Sequence, residues 1–391
     1  MNAAEKGIFV VPDDLQKELF ELSKQIHDHP ELGLQEHMAC KLQCDLLQKY
    51  GFEVEQPFGG FETAYRAVYK GKKKGIKIAM LAEYDALPEI GHACGHNLIA
   101  MVSVGSALAM KSFADTLGAE IYVFGTPAEE TIGTKVQMSN NGFFDDMDVV
   151  MMAHPANINA DCSDTMAING YKIAFKGRTA HAAAAPEEGL NALDAMINFF
   201  NLVNALRQQT KSDARIHGII TSGGVAPNII PDYTEARFYV RANRSSYLEE
   251  LCRKVEACAR GAAIGTGTEY EMVFTEGNYK DTRSNRTLAE LNAKQMEKLG
   301  IKVVRTAGTH MPVSSDLGDV SYHCPAIQCS YDITEGKGYS AHTVEFEKCA
   351  GSEAAMEAAL RVICAFVQTG IQLMSEKELI KEIKEEFESF E

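Results

Sequence analysis

The chain has 391 residues, with 54 acidic against 38 basic side chains and a formal net charge of −16. This negative excess argues against nucleic acid or an anionic membrane as a partner, and 46% hydrophobic residues supply enough core for two domains. The sequence shows no secretory leader and no apolar run of membrane-spanning length. Its ten cysteines do not form a disulfide framework of close repeats. We therefore expect a globular cytoplasmic protein with reduced thiols.

The first part of the chain alternates between helix and strand patterns. A helix-start signal at residues 12–14 opens an amphipathic helix, and a second helix ends at Gly51. Short apolar runs then predict three buried strands, at residues 76–81, 120–124 and 148–153. Polar residues follow each run, and a helix pattern follows the first. This order predicts a doubly wound α/β sheet with its chemistry at the strand ends.

The pattern changes near residue 165. Alternating strands that face water on one side, separated by two helices, predict an inserted α+β domain of ferredoxin-like arrangement. Helix and strand patterns of the first type resume after this insertion. We therefore predict one domain from residues 1–164 and 278–391, and an inserted domain from residues 165–277.

The segment from Leu81 to His96 is dense in potential metal ligands. Cys94 and His96 flank Gly95, whose conformational freedom allows the tight turn that brings both side chains to one point. The alternative for Cys94 is a buried structural thiol beside surface histidines. The carboxylates, thiol and imidazoles gathered in this segment favour a metal site instead.

Further candidates stand at the ends of the next two predicted strands. Glu129 and Glu130 follow the second strand, where two adjacent carboxylates make sense if one binds a metal ion and the other acts as a base. His154 ends the third strand, although a histidine before proline is also a common structural residue. These strand ends predict one shared site.

Six motifs carry a family resemblance, and they occur along the chain in this order: Glu83-Tyr-Asp85-Ala-Leu-Pro, Gly91-His-Ala-Cys-Gly-His-Asn97, Thr126-Pro-Ala-Glu-Glu130, Met152-Ala-His-Pro155, Gly177-Arg-Thr-Ala-His-Ala182 and Ser340-Ala-His-Thr343. They resemble the motifs of the di-metal aminoacylase and carboxypeptidase family. Within it, the chain is similar to the amidohydrolase branch that contains hippurate hydrolase, auxin-conjugate hydrolases and aminobenzoyl-glutamate hydrolase, and in particular to the Xaa-Arg dipeptidase type. The resemblance implies a zinc-exopeptidase-like catalytic domain with an inserted lid and dimerisation domain.

The resemblance also implies two divalent metal ions. It places their ligands at Cys94, His96, Glu130, His154 and His342. Asp85 would orient one of these ligands. The thiolate favours zinc, while carboxylate and imidazole ligands also suit manganese. Much of the wider family has a histidine ligand where this chain has Glu83 and a bridging carboxylate where it has Cys94, a departure that agrees with the amidohydrolase branch.

The implied mechanism uses a general base. Glu129 would activate water and later protonate the leaving amine. His181 resembles the lid histidine that stabilises the oxyanion, either within its own subunit or across a dimer. Asn228, Arg241 and Asp316 are the candidates for substrate binding, with a surface ion pair as the alternative role of Arg241.

The implied substrates are small peptides or N-acyl amino acids. The dipeptidase type favours Xaa-Arg and Xaa-Lys dipeptides, and the alternatives are an N-acyl-amino-acid amidase and an aminobenzoyl-glutamate hydrolase. Two rivals come from other classes: a hydrolase with Cys94 as its nucleophile, and a non-catalytic ligand-binding protein on the same scaffold. The acids and imidazoles around Cys94 argue against the first rival, and the complete set of ligands and base argues against the second. A homodimer or higher homo-oligomer through the lid is also implied.

Overall fold

The computed structural model describes residues 9–275, 277–306 and 308–390. The chain divides into two compact units. The large unit comprises residues up to Asp164 together with Thr282–Met311 and Asp316–Glu391, and the small unit comprises Thr165–Asp281 and Pro312–Ser315.

The small unit extends past the predicted residue 277. Tyr279 exchanges two backbone hydrogen bonds of 2.9 Å with Ile168, and the N–H of Met166 donates to the carbonyl of Val313 at 2.8 Å. These bonds join residues that follow the insertion to residues 166 and 168 at its start, and the small unit therefore includes them.

The strands of the two sheets, in chain order, are β1 (Glu53–Glu55), β2 (Tyr65–Lys70), β3 (Ile76–Ala82), β4 (Ala119–Gly125), β5 (Val149–Ala156), β6 (Ala167–Lys176), β7 (Arg215–Ser222), β8 (Tyr233–Ala242), β9 (Glu269–Phe274) and β10 (Ala326–Asp332). Two-residue strands also occur at Asp164–Thr165 and His310–Met311. The α-helices are α1 (Asp13–Asp28), α2 (His37–Lys49), α3 (His96–Phe113), α4 (Thr134–Asn140), α5 (Ala192–Leu206), α6 (Ser245–Thr266), α7 (Arg286–Lys298), α8 (Leu317–Val320), α9 (Val344–Ala350), α10 (Glu353–Ser375) and α11 (Lys377–Glu388).

The sheet of the large unit has the strand order β1-β2-β4-β3-β5-β10. Strands β4, β3, β5 and β10 run parallel, whereas β1 and β2 form an antiparallel edge. The residues of β3 from Ile78 to Ala82 are fully buried, as expected for a parallel strand whose two faces are both covered. Helix α3 packs against β3 and β5, and α1 and α10 pack against α3.

Among the described residues, two helices of the large unit have the length and apolarity of membrane spans, namely α3 with the π-helical turn after it, and α10. Most of the apolar window of each is buried inside the fold, 83% for the first and 67% for the second. Packing in the core therefore accounts for their apolar surfaces.

The small unit has an antiparallel sheet of order β9-β6-β8-β7. Ala236, Phe238 and Val240 of β8 alternate with more exposed neighbours and join a core that α5 and α6 complete. The element order β6-α5-β7-β8-α6-β9 is the ferredoxin-like βαββαβ arrangement. The predicted fold class, a doubly wound α/β domain with a ferredoxin-like insertion, is confirmed.

Candidate metal centre

The carboxyl ends of neighbouring parallel strands gather the potential ligands of the large unit. Among the described residues, ligand atoms within 4.8 Å of one another form four overlapping groups: Cys94, His96 and His154; Cys94, Glu130 and His342; His96, Glu129 and Glu130; and Glu83, Glu129 and Asp316. The structure therefore brings the five ligand candidates and the candidate base into one cluster. β3, β4 and β5 lead into it, and the start of α3 and the loop before α9 complete it.

Left-handed backbone conformations shape the turns around this cluster. Gly95 precedes α3 with φ +82°, and a Cβ there would lie 2.9 Å from Cγ of Pro155. Ala128 (φ 60°) and His342 (φ 64°) adopt the same region with side chains, which costs on the order of 1–3 kcal/mol each. Glu36 supports the turn at Ala128, because its carboxylate accepts that residue's N–H at 2.9 Å. Strain of this kind is typical of residues that a site holds in a fixed direction.

Asp85 orients two members of the cluster. Its Oδ1 lies 3.0 Å from Nδ1 of His96, and its Oδ2 accepts the N–H of Glu130 at 3.0 Å. Nδ1 of His154 lies 2.7 Å from the carbonyl of Pro155, to which it can only donate. Both imidazoles therefore carry a proton on Nδ1 and turn Nε2 towards the cluster, where Nε2 of His154 lies 3.6 Å from Sγ of Cys94.

Burial and neighbouring charges shift the pKa values of the acidic groups in different directions. Burial raises the pKa of the Cys94 thiol far above its usual range, which disfavours a free thiolate nucleophile. Burial, and then the charges of Glu83 and Asp316, also raise the pKa of Glu129 well above the usual value. Burial opposes ionisation of Asp85 too, but His96 outweighs it, and the pKa of Asp85 is lowered.

The cluster fits divalent cations. Oε2 of Glu83 and Nε2 of His96 are buried and have no hydrogen-bond partner among the described residues, although buried polar atoms are nearly always satisfied. Thiolate sulfur, imidazole nitrogen and carboxylate oxygen are the donors that zinc takes in proteins, and manganese accepts the last two. The residues present could therefore hold two ions.

Lys135 of α4 is a member of this region that the sequence analysis missed. Its side chain is fully buried, and Nζ lies 2.5 Å from Oδ1 of Asp316 and 2.7 Å from Oε1 of Glu83. Its N–H also donates to Oδ2 of Asp316 at 3.1 Å. Burial raises the pKa of Asp316 to about 6 against the opposing effect of Lys135. Asp316, a candidate for substrate contact, is thus placed as a buried ion-pair partner. No feature of the sequence marks this lysine as buried.

The other substrate candidates and the proposed oxyanion residue lie in the small unit. The segments of His181 and Asn228 pair, with the N–H of Ala182 donating to the carbonyl of Asn228 at 3.0 Å. Nδ1 of His181 accepts the N–H groups of Ala183 and Ala184 at 3.2 and 3.1 Å, so its proton resides on Nε2. Arg241 is partly buried, and its Nη1 donates to Oγ of Ser314 at 3.3 Å.

Comparison with known proteins identifies relatives along almost the whole chain. Residues 165–266 match the family model of a peptidase dimerisation domain. The chain is 36% identical to the Xaa-Arg dipeptidase of Mus musculus, over 96% of this chain and 90% of that protein. It is 31% identical to a p-aminobenzoyl-glutamate hydrolase polypeptide of Escherichia coli, over 72% of this chain and 62% of that protein.

Solved structures share the fold at low sequence identity. The Bacillus subtilis YXEP protein, described as a dinuclear metal binding peptidase from the M20 family, superposes with a TM-score of 0.67 at 19% identity, covering 90% of this chain and 99% of its own. The aminobenzoyl-glutamate utilization protein from Klebsiella pneumoniae has a TM-score of 0.72 at 18% identity, covering 90% of this chain and 96% of its own. The family resemblance predicted from the motifs is confirmed, and the chain belongs to the M20 peptidase family.

Proposed function

We propose that this enzyme hydrolyses the amide bond of dipeptides, with Xaa-Arg and Xaa-Lys dipeptides as its favoured substrates. The observation that carries the proposal is the cluster at the strand ends, where overlapping groups of potential metal ligands gather around the adjacent carboxylates of Glu129 and Glu130. The identity of 36% with an Xaa-Arg dipeptidase supports the substrate class. The identity of 31% with an aminobenzoyl-glutamate hydrolase polypeptide supports the second candidate, an N-acyl-amino-acid amidase or aminobenzoyl-glutamate hydrolase.

The residues of the chain supply the proton transfers of the reaction. When bound, divalent ions polarise the substrate carbonyl and lower the pKa of water towards ~7. Glu129 takes the proton of the attacking water, whose oxygen bonds to the carbonyl carbon. Its raised pKa lets it hold that proton and deliver it to the amide nitrogen as the C–N bond breaks. The products are a carboxylic acid and a free amine, and no covalent enzyme intermediate forms.

Residues of the small unit are proposed to bind the substrate and to stabilise the developing oxyanion. His181 carries its proton on Nε2, which suits it to donate a hydrogen bond to a developing oxyanion. Arg241 and Asn228 are proposed to bind the substrate carboxylate, a planar anion that a guanidinium can contact with two N–H groups. Asp316 stays a candidate for substrate binding, although its ion pair favours a supporting role.

We further propose zinc as the native metal, with manganese as the alternative, because Cys94 would supply a soft thiolate ligand. A homodimer or higher oligomer through the small unit is supported by the dimerisation-domain match. A cytoplasmic location is supported by ten cysteines that are all free thiols, since disulfides are rare in reducing compartments.

A hydrolysis screen tests the proposed function. Zinc-loaded, manganese-loaded and chelator-treated protein is assayed against β-alanyl-lysine, an Xaa-Arg dipeptide, hippurate, N-acetyl amino acids and aminobenzoyl-glutamate. We expect metal-dependent cleavage of the basic dipeptides. Cleavage of only the acyl amino acids would favour the amidase, cleavage that survives chelation would favour Cys94 as the nucleophile, and no cleavage would favour a binding protein.

A further inference from the structure

The Glu83 side chain lies beside the metal centre without belonging to the five-ligand set. Glu83 is the first residue after β3 and is fully buried. Its Oε1 contacts Nζ of Lys135 at 2.7 Å. Its Oε2 lies 3.4 Å from Nε2 of His96, and neither of these two atoms has a hydrogen-bond partner among the described residues. A buried carboxylate oxygen in this state is explained by a bound cation or by a proton on the facing imidazole.

The distance between Oε2 and Nε2 is the spacing of two ligands on one ion. Zinc binds imidazole nitrogen and carboxylate oxygen at roughly 2.0–2.2 Å, so two tetrahedral ligands lie roughly 3.4 Å apart. Nε2 is the nitrogen that His96 has available, because Asp85 occupies Nδ1. The alternative is a doubly protonated His96 that bridges Asp85 and Glu83 as an ion pair.

Lys135 fixes the direction of the Glu83 carboxylate. Its Nζ is anchored a second time by Asp316 at 2.5 Å, and its N–H donates to the same side chain. The ammonium therefore holds Oε1 and leaves Oε2 facing His96. Two carboxylates face one ammonium in a fully buried place, and a carboxylate oxygen of Glu129 lies within 4.8 Å of both. A divalent cation would compensate this excess of acidic groups.

We propose that Glu83 is a further ligand of the metal centre, supplying Oε2 to the ion bound by Nε2 of His96, and that Lys135 and Asp316 are positioning residues for it. This inference rests on the two-metal centre of the proposed function and adds a ligand to it. It also gives Asp316 a role other than substrate contact.

Metal-binding measurements on Glu83→Gln test the proposal. Glutamine keeps the size of the side chain and can accept from Lys135, but its amide is a poor ligand. Protein freed of metal by chelation is titrated with Co²⁺ and Zn²⁺, and bound metal is counted by elemental analysis after desalting. We expect one ion to bind at least about ten-fold more weakly in the variant, while the other is retained.

Asp161→Asn is the matched control, because Asp161 is also a buried carboxylate of the large unit, where it accepts hydrogen bonds from Thr306. It should bind two ions as tightly as the parent. Circular dichroism and the thermal midpoint establish that each variant is folded.

Glu83→His separates a ligand from an ion-pair partner. A histidine can coordinate the ion but cannot present a carboxylate to Lys135. Tighter binding in Glu83→His than in Glu83→Gln would support the ligand role, and the Co²⁺ absorption bands would shift as an oxygen ligand is exchanged for nitrogen. Equal weakening in both variants, or unchanged binding in Glu83→Gln, would overturn the proposal. A parent protein that binds no metal would instead remove the proposed function itself.

Discussion

Glu129 and Glu130 are adjacent in the chain, but the structure gives their carboxylates different surroundings. Oε1 of Glu130 lies 3.2 Å from Nε2 of His342, and despite burial the hydrogen bond with His342 and the charges of His96 and His342 lower the pKa of Glu130. The pKa of Glu129 is instead raised, by burial and then by Glu83 and Asp316. An acid that ionises readily suits a metal ligand, and a carboxylate with a higher proton affinity suits a base that must hold the proton it takes from water and later return it.

This difference predicts distinct outcomes for the two glutamine variants. Glu129→Gln should keep its bound metal and lose about 10²–10⁴-fold in kcat, because the proton acceptor is gone while the ligands remain. Glu130→Gln should lose metal together with activity. Steady-state kinetics and elemental analysis of the same preparations check both. Normal turnover in Glu129→Gln would rule out its role as the base.

Glu36 predicts a pH dependence of stability. Burial raises its pKa from 4.5 to about 7, so the folded protein binds its proton more tightly than the unfolded chain does. This contribution to stability is present in full below pH 4.5 and is lost as the pH rises through 7. The shift corresponds to about 3 kcal/mol over this window.

Glu36→Gln has no proton to lose, so the free energy of unfolding relative to the parent should rise by about 3 kcal/mol between pH 4.5 and 7. Urea unfolding of chelated protein across this range measures the difference. Glu62→Gln is the control, because the Glu62 side chain is 82% exposed. Parallel profiles for Glu36→Gln and the parent would contradict the burial argument.

At the residue scale, the sequence revealed the members of the site that stand directly after apolar runs. Cys94, His96, Glu129 and Glu130 are recognisable because unlike ligands gather where predicted strands end. Lys135 and the ion-pair role of Asp316 are not, because the two residues are 181 positions apart and only the folded chain makes them partners. The burial of a single lysine depends on contacts that no local pattern encodes.

The turn before α3 links an element to the site. Gly95 has φ +82°, and its neighbour Pro155 closes the space that a side chain would need. The turn sets Cys94 on one side and starts α3 at His96 on the other. Gly95→Ala should therefore lower the free energy of unfolding by about 1–2 kcal/mol, because alanine is strained in the left-handed backbone conformation. The contact with Pro155 should lower it further. Metal affinity should also fall, because the ligands on either side of the turn are displaced.

Gly300→Ala is the matched control for this prediction. Gly300 has the same φ of +82° and nothing within 4 Å of an added Cβ. Gly300→Ala should lower the free energy of unfolding, measured by chemical denaturation, by the backbone cost, but it should bind metal as the parent does. Equal metal affinity in the two alanine variants would mean that the turn at Gly95 does not place the ligands.

The positions of the three buried strands were predicted from the sequence. Their order within the sheet could not be predicted. The runs at 76–81, 120–124 and 148–153 correspond to β3, β4 and β5, because a strand covered on both faces is a continuous apolar run. The antiparallel edge of β1 and β2 and the place of β10 beside β5 depend on long-range pairing. Such pairing leaves no periodic pattern in the sequence.

The proposed dimer has a candidate surface on the small unit. β7 is an edge strand of its sheet, and Ile219 and Ile220 on it are 67% and 42% exposed. Exposed apolar residues on an unpaired edge are typical of a strand that pairs with another chain. Ile219→Glu should shift the protein towards monomer in light scattering coupled to gel filtration. Val304→Glu, at a 54% exposed valine of the large unit, should not. An unchanged mass in Ile219→Glu would move the interface elsewhere.

Metal removal should act on the two units unequally. All the proposed ligands belong to the large unit, whereas the small unit builds its own core from residues such as Phe175, Phe199 and Phe238. Ions that bind only the folded state add about 4 kcal/mol of stability at a concentration a thousand times their Kd. Chelation should therefore increase hydrogen exchange at the ends of β3, β4 and β5 and in the loop before α9, with little change in β6 and β8. A uniform increase would show that the units unfold together, and no increase would show that the centre holds no ion that contributes to stability.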